Sequence, residues 1–292
     1  MKEIRFPSTL SMDYPGLLSE ALAQVMEVPY GESLTVDLTD TQRVSAFGVA
    51  ALGARLAWLV AAKRLPSGSV IRRPESGRVS NDLMRMGLYR LLQEASVNVY
   101  TGDKLGERPQ ELWLVERPSE LENATARLVT ILRAVLPASE GDFDRVTQMF
   151  TGLGDNAFRH GKVHTGAMLC GQAFPKNGVV ELAVADTGQG IWASLKRFPS
   201  LAETVQGDAN AILTALTLKV KGPDGVIRPG LLNTLLATAR KTGGELVCMS
   251  GEAALIMRGG EMRNSKVAFY PGTVICIRLR LLSQYPATET AG

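Results

Sequence analysis

The segment AFGVAALGARLAWLVAA, residues 46–62, decides the fold class of this chain. Its length of about 17 residues is close to the minimum for a membrane-spanning helix. Arg55 stands at its middle, and a central arginine costs roughly 2.5–3.5 kcal/mol on insertion. A helix buried in an α/β domain is the better reading, and no membrane partner is expected.

Working outward, short apolar runs at EIRF (3–6), LTVDL (34–38), SVIR (69–72) and VNVY (97–100) predict strands. Between and after them, helices are predicted over 15–27, 45–63 and 80–94. The last contains DLMRMGLYRLL, with apolar residues at 83, 84, 86, 88, 91 and 92. Strands separated by amphipathic helices imply an α/β layer structure with some parallel pairing. The charged, proline-containing stretch LGERPQELWLVERPSE (105–120) interrupts the pattern. The domain boundary is placed there, with a strand allowed at 112–116. This divides the chain into an α/β domain over 1–117, a second domain over 118–283 and a flexible tail over 284–292.

The second part begins with helical patterns over 121–136, ended by Pro137, and over about 142–160. Strand-like runs follow at 168–174, 179–186, 245–251 and 273–282, and one helix, LLNTLLATARKT (231–242), stops at Gly243 and Gly244. Helices followed by strands with one crossing helix describe a two-layer α/β sandwich.

The composition agrees with globular domains. Of 292 residues, 45% are hydrophobic and 21% charged, with 29 Gly and 14 Pro, which excludes a disordered, collagen-like or coiled-coil chain. The formal charge of +3 gives no indication of nucleic-acid binding. Cys170, Cys248 and Cys276 stand singly among apolar neighbours and read as reduced core thiols. MKEIRFPSTLSMDYPG has no apolar core and no small-residue cleavage site, so no secretory signal is read there and a cytoplasmic location is expected.

Several motifs fail on their own physics. Gly161-Lys162 is followed by Val163, so it is not a phosphate loop. GLGDNA (152–157) matches GxGxxA but lies in a helical pattern without a preceding strand. Lys241-Thr242-Gly243 has no companion Ser-x-x-Lys. His160 and His164 are four apart, yet zinc needs at least one more ligand and none is near.

Four pieces in fixed order carry chemistry instead. In DNAFRHG (155–161), Asn156 offers a side-chain oxygen suited to a hard ion, and His160 shares its helix face. DTGQGI (186–191) follows a strand. Asp186 can accept a hydrogen bond from an exocyclic amine, and Gly188 and Gly190 let backbone approach a flat ring. Arg228-Pro229-Gly230-Leu231 opens a helix, whose N-terminal amides favour anions. Pro271-Gly272-Thr273 leads into the last strand, where the Thr273 hydroxyl can reach the ring through a water. Alone, each piece has an ordinary structural explanation; the ordered set is distinctive.

Over about 120–283 the chain resembles the GHKL family of ATP-binding domains, which includes histidine kinases, gyrase-type ATPases and anti-sigma serine kinases. Asp155 to Gly161 is similar to its N box, Asp186 to Gly190 to its first glycine box, and Arg228 to Leu231 to its second. TGGELVCMSG with PGTVICIRL is similar to its closing strand pair. The resemblance implies an ATP·Mg²⁺ site in which Asn156 binds the ion, Asp186 reads the adenine amine, Thr273 supports that contact, and Gly188, Gly190 and Gly230 line the nucleotide. It makes 192–229 an ATP lid, with Lys219, Lys221 and Arg228 as candidates for phosphate contact, a solvated loop face being the equal alternative for those charges. The sequence departs from the family twice. The hydrolytic members' Glu four residues before the Asn is here Gly152, and Arg228 replaces the first glycine of Gly-x-Gly.

The N-terminal part resembles, less specifically, the STAS fold of anti-sigma-factor antagonists through VDLTDTQRVSAFGVAALGARL. Ser45 falls near that family's phosphorylated serine, although capping of the following helix is the favoured role. Together these resemblances imply an ATP-binding regulatory protein whose nucleotide gates contact with a protein partner. The alternatives are a serine protein kinase or slow ATPase, and a fusion whose pocket no longer binds nucleotide. Dimerisation is common among such relatives, so a homodimer is allowed.

Overall fold

The computed structural model describes residues 1–66, 68–94, 98–99, 111–161, 165–221 and 227–281. Within them the chain is a mixed α/β protein. The first part contains β1 (Lys2–Arg5), β2 (Thr9–Leu10), α1 (Pro15–Met26), β3 (Leu34–Asp37), β4 (Arg43–Val44), α2 (Ala46–Ala61), β5 (Val70–Arg72), α3 (Gly77–Met86), α4 (Leu88–Glu94) and β6 (Asn98–Val99). Strands β1, β3, β5 and β6 form a parallel sheet in that order, and β2 pairs with β4. The helix expected over 80–94 is two helices. Gly87, at φ +95°, ends α3 in the left-handed region, and α4 begins at Leu88.

The second part contains β7 (Leu112–Val115), α5 (Leu121–Val135), α6 (Glu140–Gly161), β8 (Ala167–Phe174), β9 (Val179–Asp186), α7 (Gly190–Leu195), α8 (Pro199–Ala202), α9 (Gly207–Thr217), β10 (Lys219–Lys221), β11 (Ile227–Pro229), α10 (Leu231–Lys241), β12 (Glu245–Arg258) and β13 (Glu261–Arg280). Five strands make an antiparallel sheet in the order β12-β13-β9-β8-β7. Its edge strand β7 comes from the stretch ascribed by sequence to the first domain's end. Strands β12 and β13 run well beyond the predicted 245–251 and 273–282. Past β9 they continue as a two-stranded ribbon, whose register shifts between Ser250 and Ala253.

Side-chain alternation along the strands explains how the parts join. Leu169, Leu182, Val184 and Ile275 face one core with α5, α6 and α10. Met168, Cys170, Ala183, Ala185 and Cys276 face another, which they share with α1, α2 and the parallel sheet. Antiparallel sheets commonly leave one face to water; this one is covered on both, so its strands read as unbroken apolar runs. Helix α2 is buried continuously from Ala46 to Leu56, which is why 46–62 is apolar on every side. Among the described residues no helix is long and apolar enough to cross a membrane. The three cysteines are free and buried.

The two parts are also tied by a buried ionic network. Glu181 of β9 is fully buried and accepts from Arg278 Nε at 2.9 Å and from the Ala46 amide at 3.2 Å. Arg278 also donates to Glu245 at 2.7 Å, and Arg258 bridges Glu245 to Asp13. This changes the expected role of Ser45. It occupies the cap position of α2, but its hydroxyl makes no capping bond. The Glu181 carboxylate, arriving from another strand, serves the first turn, where a negative charge suits the helix dipole.

Candidate functional site

Helix α6 carries Leu153, Asn156, Ala157, His160 and Gly161 on one stripe, with the i, i+3, i+4, i+7, i+8 spacing of a core-facing surface. That stripe faces a cavity of about 210 Å³. An amide and an imidazole thus interrupt an otherwise apolar wall. The floor comes from neighbouring strands, with Val184 and Asp186 of β9 beside Thr273 and Ile275 of β13. Alternation along β9 sends Asp186 toward the cavity and Glu181 toward the opposite face. Gly230, Leu231 and Leu232 enter from the start of α10, and Gly190, Ile191, Ser194, Leu195 and Phe198 close the remaining side with α7.

Seven of the nine site residues expected from sequence therefore line one cavity: Asn156, His160, Asp186, Gly190, Gly230, Leu231 and Thr273. Gly188 stands just behind the wall. Its amide donates to Asp186 Oδ1 at 2.8 Å, and a Cβ there would come within 2.1 Å of the Gly161 carbonyl oxygen. No larger residue fits between the β9 turn and the end of α6. Arg228 lies in β11, with its side chain outside the described ones, as is that of Lys221; Lys219 is exposed in β10. His164 and the tail 284–292 also lie outside the described residues.

Asp186 is the most unusual group in the site. It is 4% exposed, and its hydrogen-bond partners are backbone amides, those of Gly188 and Thr273. Burial pushes its carboxyl up to about 7, against the pull of those two amides. Burial also lowers His160 below its usual range, with Arg159 and Arg197 adding to the effect, so its imidazole is neutral at pH 7. The site thus offers one carboxyl, one neutral imidazole and one amide in an apolar recess.

Two further features were not anticipated from the sequence. Ser250, at the ribbon's register shift, accepts from the Ile191 amide at 3.0 Å and donates to the Gly272 carbonyl at 2.8 Å, clamping the glycine turn to the closing strands. Its only signal was its place at the end of ELVCMSG. Gly230, expected to present its amide to an anion, instead donates it to the Leu218 carbonyl at 2.9 Å. That bond fixes the start of α10 against the end of α9.

No family model matches the chain, and no curated protein matches it.

Proposed function

We propose that this is an ATP-binding regulatory protein, a GHKL-type domain fused to a STAS-like α/β layer, in which bound nucleotide gates contact with a protein partner. What supports this is the meeting of four separate segments, from Asn156 to Thr273, around one cavity with a buried carboxyl at its floor, bonded among the described residues to backbone amides. Asp186 would accept the adenine amine, and Thr273 beside it would support that contact through a water. Asn156 would give one oxygen to Mg²⁺, which takes the rest from phosphates and water and neutralises phosphate charge. Among the described residues no cluster of three His, Cys, Asp or Glu could hold a metal without such phosphates.

The segment over the cavity has the makings of a gate. Helix α7 rests on a small apolar cluster of Leu195, Val205 and Ala211, whereas α9 is anchored in the second core through Ile212 and Leu216. Such satellite units open at lower free energy than the main core, and nucleotide contacts can order them.

Turnover is disfavoured by Leu231. A Cβ added at Gly152 would come within 2.9 Å of Leu231 Cδ1, so the position from which relatives' glutamate would activate water is covered by an apolar side chain. Base catalysis typically contributes a factor of ~10²–10⁴. Isothermal titration with ATP, ADP and Mg²⁺ tests the proposal. Binding that is lost in Asp186→Asn, with phosphate release at or near background, is expected. No binding at millimolar nucleotide overturns it, and robust hydrolysis moves the protein to the ATPase or kinase class.

A further inference from the structure

We infer that Arg197 is the residue that selects for phosphorylated ligands at this cavity, by holding its guanidinium over the mouth where the phosphates leave the recess. The inference rests on the nucleotide site proposed above. A volume of about 210 Å³ lies below the roughly 300–1,000 Å³ of sites that enclose whole small molecules. It suits a purine, with the charged part of the ligand outside. Yet no Lys or Arg lines the wall among the described residues, so the phosphate charge has to be met at the rim.

Besides Lys219, exposed in β10 and expected from the sequence as a candidate phosphate contact, the cations at the ends of α6 and α7 are not equivalent. Arg159 is committed to Asp155 at 2.8 Å, and Lys196 lies 3.8 Å from the centre of the Trp192 ring. Arg197 is fastened differently. Its Nη2 donates to Gln189 Oε1 at 2.5 Å, and the Gln189 amide donates in turn to the His160 carbonyl. The Gln189 backbone amide adds a bond to the Gly161 carbonyl at 2.8 Å. Arg197 is thus tethered by a neutral amide to the end of α6, beside the cavity-lining His160 and between the cavity residues Leu195 and Phe198. Among the described residues no carboxylate pairs with its guanidinium, so it is positioned without being neutralised, which is what a forked donor for phosphate requires.

The test is titration of ATP and of adenosine, both with Mg²⁺, into wild-type protein, Arg197→Ala and Arg197→Lys. Arg197→Ala is expected to weaken ATP about tenfold to hundredfold, the usual range for a hydrogen bond to a charged group, while adenosine changes by less than about twofold. Arg197→Lys is expected to recover part of the ATP affinity, because it keeps the charge and loses the fork. Equal losses for ATP and adenosine would mean that Arg197 only supports the lid, and unchanged ATP affinity would mean no phosphate contact; either overturns the inference. Adenosine binding with no preference for ATP in the wild type defeats the inference and leaves the base pocket standing. Failure of both ligands to bind the wild type defeats the nucleotide site itself.

Discussion

Strand β9 carries two buried carboxyls five residues apart, Glu181 and Asp186, on opposite faces of the same sheet, and their surroundings differ completely. Glu181 meets a guanidinium and a helix amide, in a network that continues through Arg278, Glu245 and Arg258 to Asp13. Asp186 meets two backbone amides and a cavity. Burial raises both carboxyls, with Arg278 the main opposing influence at Glu181. A buried acid met by a guanidinium within the fold holds structure together, whereas one met by backbone amides alone at the wall of a cavity is a candidate for ligand contact.

The largest effect should come from breaking the answered carboxyl. Removing the Glu181 carboxyl leaves the buried Ala46 amide without its acceptor and Arg278 with Glu245 as its remaining close partner, at a cost of about 3 kcal/mol. Glu181→Ala is therefore expected to lower unfolding free energy by that amount in chemical denaturation, while its folded fraction binds nucleotide as the wild type does. A mild stability loss with lost binding would reverse the roles assigned to the two acids.

Asp186→Asn should do the opposite. The substitution keeps the two amide contacts' acceptor oxygen and offers a donor where the adenine amine also donates, so ATP affinity is expected to fall at least about a hundredfold. Stability at pH 8 should be equal to the wild type's or higher. The sign follows from linkage. Burial holds the Asp186 carboxyl up at about 7 in the folded protein, and unfolding returns it to the ordinary aspartate value of about 3.9. Its stabilising proton is therefore fully present below about pH 4 and lost as pH rises through 7. Glu111, raised to about 7 by burial beside Arg85, adds a slope of the same sign. Thermal scans from pH 5 to 8 should show the wild type losing stability with pH and Asp186→Asn losing less.

The same titration sets the pH dependence of binding. An amine donor selects the ionised carboxylate, so nucleotide affinity is expected to be highest above pH 7 and to fall up to about tenfold per unit below it. Calorimetry in buffers of different ionisation enthalpy should detect proton release on binding near pH 6. Affinity that is flat from pH 5.5 to 8 would mean that Asp186 does not contact the ligand.

How much of this was legible in the sequence follows from where local pattern carries information. Strands β1, β3, β5 to β9 and parts of β12 and β13 show as apolar runs, helices α1, α5, α6 and α10 show in the period of their apolar residues and α2 in its unbroken apolar length, and the cavity residues Asn156, Asp186, Gly190, Gly230 and Thr273 show in the order of their motifs, whereas the short β2, β4, β10 and β11 carry no such signal. Features governed by pairing across the chain were not legible. The ribbon beyond Gly251 alternates too weakly to announce a strand, being held by α1 on one side and α9 on the other; the Ala268 amide, for instance, donates to Ser19 Oγ at 3.0 Å. The cap of α2 comes from a residue 135 positions away. Helices α7 and α8 are only 6 and 4 residues long, and α9 takes its place from packing against β12 and α10.

The subtlest expected effect concerns Gly152, where the sequence showed only an absent glutamate. Alanine at a mid-helix glycine is ordinarily favourable by up to about 1 kcal/mol, but here the new methyl meets Leu231 Cδ1 at 2.9 Å and Cδ2 at 3.2 Å. Those atoms are the free end of a flexible side chain that already lines the cavity, so the cheapest relief is for Leu231 to swing inward. Stability of Gly152→Ala should therefore stay within about 1 kcal/mol of wild type, while ATP and adenosine affinity both fall severalfold because the recess is partly filled. Leu231→Ala in the same background should restore binding, giving a coupling between two positions 79 residues apart in sequence. Affinity unchanged in Gly152→Ala would mean that Leu231 yields away from the cavity, and its apolar cover over Gly152 would then be a removable lid rather than a fixed wall.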